Sequence, residues 1–307
     1  MRNAFIRSFK KEAEKNNKII LLAADIGAIV FDDFRAARPK QFINVGVAEA
    51  NMIGVAAGLA LNGYIPFCYT IIPFLIMRAF EQIRVDLCIQ NLNVKLVGVG
   101  AGVSYSTLGP THHSIEDIGL MRVLPNMTVV SPADPIETEL AVSELVNHIG
   151  PTYLRLGIAG EPKIFDDKHI LKIGKANILK SGEDLTICAT GFMLNAAIKI
   201  AELLKTTKNI NSEIINISTI KPLDEETIIN SALKTEKVIT IEEHSIYCGL
   251  GSAIAEIICE KIPKKIKFQR IGINDNYSFN YGSREYLLKV NQLTIDQIYK
   301  QINLLDA

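Results

Sequence analysis

The segment Phe42–Leu61, FINVGVAEANMIGVAAGLAL, decides the fold because its pattern changes from extended to helical at Gly46. Phe42–Val45 predicts a short strand, Gly46 a tight turn, and the remainder a helix of small and apolar residues. One carboxylate, Glu49, lies in this helix, with no basic residue within eight positions on either side. Buried charges are rare unless they are paired or used, so Glu49 is a candidate for holding a proton or donating a hydrogen bond. The ordinary alternative is a solvated first-turn glutamate that the helix dipole favours.

Length and composition predict two domains with well-filled cores. The chain has 307 residues, of which 48% are hydrophobic, and its formal net charge is zero. This balance favours neither nucleic acid nor an anionic membrane surface as a partner. The five cysteines are far apart and no signal peptide is evident, so we expect reduced thiols and a cytoplasmic location.

One uncharged stretch, Asn51–Met77, is long enough to raise the possibility of a membrane span. The turn signal Asn62-Gly63 and the prolines Pro66 and Pro73 interrupt it. We therefore expect a buried helix, a buried strand and a loop, and no membrane.

Continuous apolar runs alternate with helical segments along the whole chain, which is typical of parallel strands covered by helices. The prediction is an α/β protein of two three-layer αβα domains, 1–165 and 166–307, with the boundary in the polar stretch Gly157–Lys168. The predicted strands are Lys18–Ala24, Phe42–Val45, Tyr64–Thr70, Val94–Val99, Met127–Val130, Thr152–Leu156, Leu185–Ala189, Glu213–Ile217, Lys237–Ile241 and Lys265–Ile271.

Two segments that follow predicted strands carry further candidate side chains. Thr70–Arg84, TIIPFLIMRAFEQIR, places Phe74 in an apolar run, where a phenylalanine is ordinarily core. Gly100–His113, GAGVSYSTLGPTHH, is a Gly-rich loop that matches neither a P-loop nor a dinucleotide pattern. Ser114 is expected to cap the next helix, with Asp117 at the third helical position as a capping-box variant.

These segments resemble the C-terminal half of the transketolase family, a pyrimidine-binding domain followed by a C-terminal domain, over nearly the whole chain. The resemblance rests on the Gly-Val-Ala-Glu turn, the Arg-Ala-Phe-Glu-Gln-Ile-Arg segment and the Gly-Pro-Thr-His step. It implies two-carbon ketol transfer through thiamine diphosphate, with the protein positioning and desolvating that cofactor.

The resemblance also implies roles for individual residues. Glu49 would hydrogen-bond the aminopyrimidine ring and activate the coenzyme, and Phe74 would stack on that ring. His112 would line the substrate channel and move protons at neutral pH, as a catalytic residue beside Glu49. The remaining expected positions are Asp25, Ile71 and Met77 on the cofactor side and Arg2, His112 and Leu108 on the substrate side.

The family's metal signature, Gly-Asp-Gly followed by Asn, does not occur in this sequence. That signature serves the Mg²⁺ (or Ca²⁺) ion that holds the diphosphate. We therefore predict no metal site here, and a separate N-terminal transketolase subunit that carries the diphosphate- and metal-binding domain. The chain would then be the C-terminal subunit of a split transketolase, and an α2β2 heterotetramer is expected.

The helix after Gly46 carries Ala50, Gly54 and Gly58 at intervals of four residues. An interior glycine costs about 1 kcal/mol relative to alanine, so close approach of another element is expected. The resemblance places this helix at a subunit interface, which predicts homodimer packing there. Packing within the same chain is the open alternative.

The substrate end departs from the family pattern at several positions, and each lost charge-assisted phosphate contact should cost about 1.5–3 kcal/mol. The acceptor is therefore expected to be a less charged or bulkier sugar than a standard pentose phosphate. Arg155 could compensate if its side chain turns inward. The departures are Gly100 for a histidine, Leu108 for an aspartate, Ile158 for an arginine, and Ala28 or Ile29 for a serine.

Three other readings share parts of this pattern. The beta chain of a 2-oxo acid dehydrogenase has the same domain pair, but the transketolase match at the Gly-Pro-Thr-His step is better. A fragment of a 1-deoxyxylulose-phosphate synthase and a non-catalytic partner or scaffold subunit are further alternatives. The strand-end residues Glu242, Glu243 and His244 match no catalytic residue of the family, so they are expected to be loop or interface residues.

Overall fold

Two largely parallel sheets organise the computed structural model, which describes residues 1–27 and 29–302. The strands are β1 Ile19–Ala23, β2 Phe42–Asn44, β3 Ile65–Ile71, β4 Lys95–Val99, β5 Thr128–Val130, β6 Thr152–Leu156, β7 Asn177–Lys180, β8 Leu185–Ala189, β9 Ser212–Asn216, β10 Thr219–Lys221, β11 Lys237–Ser245 and β12 Lys267–Ile273. Within the described residues the first sheet has the order β10-β5-β6-β4-β3-β1-β2 and the second β12-β11-β8-β9-β7.

Helices cover both sheets, so the predicted α/β class is confirmed. They are α1 Arg2–Lys15, α2 Asp32–Ala37, α3 Glu49–Leu61, α4 Ile72–Ile76, α5 Phe80–Gln82, α6 Asp117–Arg122, α7 Pro135–Asn147, α8 Met193–Lys208, α9 Glu225–Thr235, α10 Leu250–Lys261, α11 Arg284–Val290 and α12 Ile295–Gln301. A π-helical segment, Ile83–Ile89, continues α5, and short 3-10 turns occur at Pro39–Gln41 and Ser106–Leu108.

The first sheet brings the ends of at least five parallel strands to one edge. β1 pairs in parallel with β2 and β3, and β4 pairs in parallel with β3 and β6. The carboxyl ends of these strands therefore lie on the same side, where α/β proteins bind ligands. The segments that follow them contain the candidate residues of the sequence.

The uncharged stretch 51–77 folds as the expected helix and buried strand, but only one face of the helix α3 is buried. Met52, Ile53 and Ala56 of α3 are fully buried in the main core cluster, and β3 and α4 follow. In the part of the chain that the structure describes, no helix is long and apolar enough to cross a membrane.

Two features of the connection between the sheets differ from the sequence reading. The strands β7 and β10 were not predicted, and β10 comes after β9 in the chain yet pairs antiparallel with β5 of the first sheet. β10 is only three residues long and is followed by Pro222, so it has no periodic pattern to read. The predicted domain boundary at residue 165 stays a prediction.

The predicted cap at Ser114 is wrong. The helix α6 begins at Asp117, and its N-cap residue is Glu116, which makes no side-chain cap bond. Ser114 instead forms an isolated antiparallel bridge with Gly102. The carboxylate of Asp117 is used elsewhere, in a buried contact with Arg155.

Candidate active site

Glu49 stands at the first position of α3, at the carboxyl edge of the first sheet. Asn44, at the end of β2, accepts hydrogen bonds from the Asp25 and Gly46 amides at 3.1 and 3.0 Å and thereby ties two strand ends to the turn. Gly46 has φ +74°, a conformation that L residues rarely adopt. The result is a helix start that buries the Glu49 side chain to 3% exposure.

Glu49 is paired across the fold, although its sequence neighbours are uncharged. Arg78 Nη1 donates to Glu49 Oε2 at 3.1 Å. Arg78 lies in the turn between α4 and α5, 29 positions away in the chain, and its side chain is 50% exposed. Glu49 therefore has a charged partner that its sequence neighbours did not indicate.

Phe74 and His112 lie beside this ion pair. The Arg78 guanidinium carbon is 4.1 Å from the centroid of the Phe74 ring, a cation–π contact. The Phe74 and His112 ring centroids are 5.0 Å apart with the planes at 76°, an edge-to-face arrangement. The structure thus brings Glu49, Phe74 and His112 together in one continuous chain of contacts.

The loop that carries His112 is a tight turn. The His112 amide donates to the Gly109 carbonyl at 3.0 Å, and Gly109 has φ +79°. A Cβ at Gly109 would lie 2.5 Å from the Tyr281 ring, so Tyr281 packs directly on this turn. Burial and the nearby Arg78 cation both lower the pKa of His112. His112 is therefore neutral at pH 7 and can accept a proton.

Tyr105 and Arg2 add a polar wall to this cluster. Of the two, only Arg2 was predicted from the sequence as a site residue. A Cβ at Gly100, where the resemblance expects a histidine, would overlap the Tyr105 ring, which fills that space. The Tyr105 and His112 ring centroids are 6.2 Å apart. Burial raises the pKa of Tyr105, and the Arg2 cation partly offsets this rise. The buried Arg2 Nε has no hydrogen-bond partner within the described part of the chain.

The other predicted positions surround this cluster without joining its hydrogen bonds. Asp25 is exposed at the end of β1 and bonds to Asn44 Nδ2 at 3.1 Å. Ile71 is half-buried at the end of β3, Met77 is 39% exposed, and Leu108 is 47% exposed. Of the remaining departures from the family pattern, Ile158 is half-buried, Ile29 is 85% exposed, and Ala28 lies outside the described residues.

The Arg155 side chain binds Asp117 in the interior. The suggestion that Arg155 compensates for the lost phosphate contacts at the substrate end is therefore wrong. Its Nε and Nη2 donate to the Asp117 carboxylate at 2.6 and 3.2 Å, and Nη2 also donates to the Ser114 and Glu243 carbonyls. Tyr153 donates a further bond to Asp117 at 2.5 Å. The Nε and Nη2 groups of this guanidinium are therefore engaged in the interior, and the residue Arg155 is 4% exposed.

The strand-end residues Glu242, Glu243 and His244 are buried in β11 and form a junction between the two sheets, so the loop reading of them is wrong. Glu243 accepts a bond from the Val103 amide at 2.8 Å and pairs with Arg284 at 2.5 Å. Glu242 accepts the first amides of α10, from Leu250 and Gly251. Burial lowers the pKa of His244 to about 4, which keeps it neutral.

Comparison with known proteins assigns the family. Residues 1–157 match the family model "Transketolase, pyrimidine binding domain", and residues 174–298 match "Transketolase, C-terminal domain". A 6-deoxy-6-sulfo-D-fructose transketolase subunit, SqwH, of Clostridium sp. (strain MSTE9) is 38% identical over 301 residues, which is 98% of this chain and 92% of that protein. A subunit of the apulose-4-phosphate transketolase of Actinobacillus succinogenes is 38% identical over 85% of this chain and 83% of its own length.

A solved structure shows the same architecture. It is described as a split gene transketolase in an inactive beta4 tetramer, and it superimposes with a TM-score of 0.90 at 39% identity, over 97% of this chain and 95% of its own. The chain therefore belongs to the transketolase family. The predicted class, a transferase of the transketolase family, is confirmed, and the dehydrogenase alternative is not better supported.

Thiamine diphosphate is the cofactor that this family implies, and the cluster fits its pyrimidine ring. A planar group with N–H donors, the Arg78 guanidinium, already lies against the Phe74 ring and donates to Glu49. An aminopyrimidine ring is also flat, and its edge carries an amino donor and ring nitrogens that accept hydrogen bonds. Among the described residues, no group of three or more His, Cys, Asp or Glu side chains is arranged to hold a metal ion.

Proposed function

We propose that this chain is the coenzyme-activating subunit of a two-chain transketolase that transfers a two-carbon ketol unit between sugars. The observation that carries the proposal is the contact chain from Glu49 through Arg78 and Phe74 to His112 at one sheet edge. Bound thiamine diphosphate supplies a nucleophilic carbon and an electron sink for breaking and forming a carbon–carbon bond.

The residues of this chain would bind, orient and move protons. Glu49, held in an apolar wall, would accept or donate one hydrogen bond at the pyrimidine edge and fix the ring's protonation state. Phe74 would hold the ring by its face. His112, neutral at pH 7, would take or return a proton at the substrate carbonyl or hydroxyl through a ring nitrogen. Tyr105 and Arg2 would form the polar wall beside the substrate.

The diphosphate and its Mg²⁺ or Ca²⁺ ion would be bound mainly by the N-terminal partner subunit. The absence of a Gly-Asp-Gly motif in this sequence supports that division. A cytoplasmic location belongs to the same proposal, because the cysteines are free thiols throughout the described residues.

The exposed face of α3 supports a homodimer contact within an α2β2 assembly. Ala50, Gly54 and Gly58 are exposed, and a Cβ at either glycine would meet nothing within 4 Å among the described residues. Packing inside this chain therefore does not explain why these three small residues recur at intervals of four. Gly58→Leu should weaken self-association, whereas Thr206→Leu on the exposed face of α8 should not. Sedimentation equilibrium of both variants tests this, and unchanged association of Gly58→Leu would contradict the contact.

The acceptor is proposed to be a sugar other than a standard pentose phosphate. Two relatives are named for unusual sugars, 6-deoxy-6-sulfo-D-fructose and apulose 4-phosphate. In this chain Leu108 and Ile158 replace expected charged residues, and the Tyr105 ring takes the space of an expected histidine. Arg155 is paired with Asp117 and is therefore not available to replace a lost phosphate contact.

The deciding experiment is reconstitution with the N-terminal subunit and a panel of ketose donors and aldose acceptors. We expect no turnover by the chain alone, turnover by the pair with thiamine diphosphate and Mg²⁺, and poor transfer from xylulose 5-phosphate to ribose 5-phosphate. Activity of the lone chain would contradict the two-chain proposal. Efficient transfer between the two pentose phosphates would overturn the inference about the acceptor and leave the rest standing.

A further inference from the structure

Arg78 covers both surfaces that the proposed coenzyme ring needs. Its guanidinium lies 4.1 Å from the Phe74 centroid and donates to Glu49 at 3.1 Å. The group is planar and delocalised, and it offers only N–H donors. The Arg78 guanidinium and the pyrimidine ring are both planar, so they cannot occupy the same face of Phe74 and the same carboxylate edge of Glu49 at the same time.

We propose that Arg78 is a placeholder, an intramolecular ligand that competes with the pyrimidine ring for Glu49 and Phe74 and leaves when the ring binds. The inference rests on the proposed function, because it takes Glu49 and Phe74 as the pyrimidine site. It adds an assignment for Arg78, which then determines how tightly the ring is held.

The position of Arg78 suits a group that moves. It lies in the three-residue turn between α4 and α5, and its side chain is 50% exposed, so the guanidinium can reach solvent by rotating side-chain bonds. Glu49 is 3% exposed on α3 and cannot follow it. The contact therefore has one fixed member and one replaceable member.

A placeholder also explains how a buried carboxylate is tolerated. An unpaired buried charge is costly, and Arg78 supplies both a counter-charge and a hydrogen bond. When the pyrimidine ring replaces it, the new hydrogen bond takes over that role. Because the displaced ion pair is half-exposed and the cation–π contact is near the surface, competition should weaken ring binding by about 5- to 20-fold.

The test measures binding of a neutral probe to the full chain, with no turnover involved. The probe is the hydroxymethyl derivative of the thiamine aminopyrimidine, titrated by calorimetry or ligand-detected NMR. Arg78→Gln should bind it about 5- to 20-fold more tightly than the wild-type chain. Arg84→Gln removes the same charge from the next helical segment, where Arg84 is exposed, and should bind as the wild type does.

Two further variants separate competition from general electrostatics. Arg78→Lys keeps the charge but lacks the flat face, so it should also bind more tightly than the wild type. Glu49→Ala should bind more weakly. Equal, weaker or undetectable binding by Arg78→Gln overturns the placeholder and leaves the proposed function to its own reconstitution test. Undiminished binding by Glu49→Ala would instead count against the pyrimidine site itself and therefore against both proposals.

Discussion

Two buried carboxylates, at the starts of the helices α3 and α6, are each paired with an arginine, and the two pairs differ in solvent exposure. Asp117 and Arg155 have side chains 0% and 3% exposed, and Tyr153 completes the contact. Glu49 is buried to the same degree, but its partner Arg78 is 50% exposed and makes one hydrogen bond to it. Both pairs join residues far apart in the sequence.

This is the difference expected between a structural pair and the exchangeable pair proposed above. Burial alone would raise the pKa of Asp117, but the Arg155 guanidinium and the bonds from Arg155 and Tyr153 hold it below its usual value, so the carboxylate stays ionised. Both carboxylate oxygens of Asp117 and the Nε and Nη2 groups of Arg155 are hydrogen-bonded inside the protein. At Glu49 the partner can leave and the carboxylate remains, which is what binding an exchangeable ligand requires.

The largest effect on stability should follow from breaking the buried Asp117–Arg155 pair. Asp117→Asn keeps the size of the side chain but leaves the buried Arg155 guanidinium without a counter-charge. We expect the free energy of unfolding to fall by about 3–5 kcal/mol. Denaturant unfolding of the full chain measures this. Glu256→Gln, which breaks the exposed Arg122–Glu256 pair, is the matched control and should cost less than about 1 kcal/mol. Similar losses in both variants would contradict the distinction.

A smaller effect should follow from disturbing the His112 turn. Gly109→Ala places a Cβ 2.5 Å from the Tyr281 ring and strains a residue at φ +79°. We expect kcat/KM of the reconstituted enzyme to fall about 10-fold, since a left-handed alanine costs about 1–2 kcal/mol and the ring must also move.

Gly63→Ala is the matched control for Gly109→Ala. It has φ +81° and nothing within 4 Å of an added Cβ, so it places an alanine at positive φ without a steric overlap and should leave kcat/KM unchanged. Adding Tyr281→Ala to Gly109→Ala should restore part of the activity by removing the overlap. Equal activity of Gly109→Ala and Gly63→Ala would mean that Tyr281 does not position the turn.

The smallest effect concerns pH. The Arg78 cation disfavours the protonated form of His112 and is the second cause, after burial, of its lowered pKa. Activity that needs neutral His112 should be lost as pH falls through that pKa. In the chain without coenzyme, where Arg78 lies beside His112, Arg78→Gln should raise the pKa of His112, and NMR titration of its ring protons measures this. A pKa that stays in place or falls would show that the Arg78 cation does not act on His112.

The sequence predicted the parts of the fold and site that depend on local pattern. The apolar runs predicted every strand described in the two sheets except β7 and β10, and Gly46 with the helix pattern after it located Glu49 at a helix start. The strand order then places Glu49, Phe74 and His112 at one edge, as the family resemblance implies.

The contacts made across the fold were not predictable from local pattern. Arg78 is 29 positions from Glu49 in the chain. Its spacing from Phe74 is equally compatible with a solvated arginine on a helix face, so the sequence did not predict the contact with Glu49. Arg155 and Asp117 are 38 positions apart, and the polar pattern around Ser114 favoured a cap that the tertiary pair displaced. Tyr281 reaches the Gly109 turn from the far end of the chain.

The most direct test of the central claim is the rate at which the thiazolium C2 proton of thiamine diphosphate exchanges with deuterium in the reconstituted enzyme. Glu49→Gln keeps the side-chain shape and removes the acid. We expect exchange to slow by at least about 100-fold, while the stability of the chain changes by less than about 1 kcal/mol, because only a half-exposed pair is lost. Exchange at the wild-type rate, with the coenzyme bound to the same extent, would contradict the claim that Glu49 activates it.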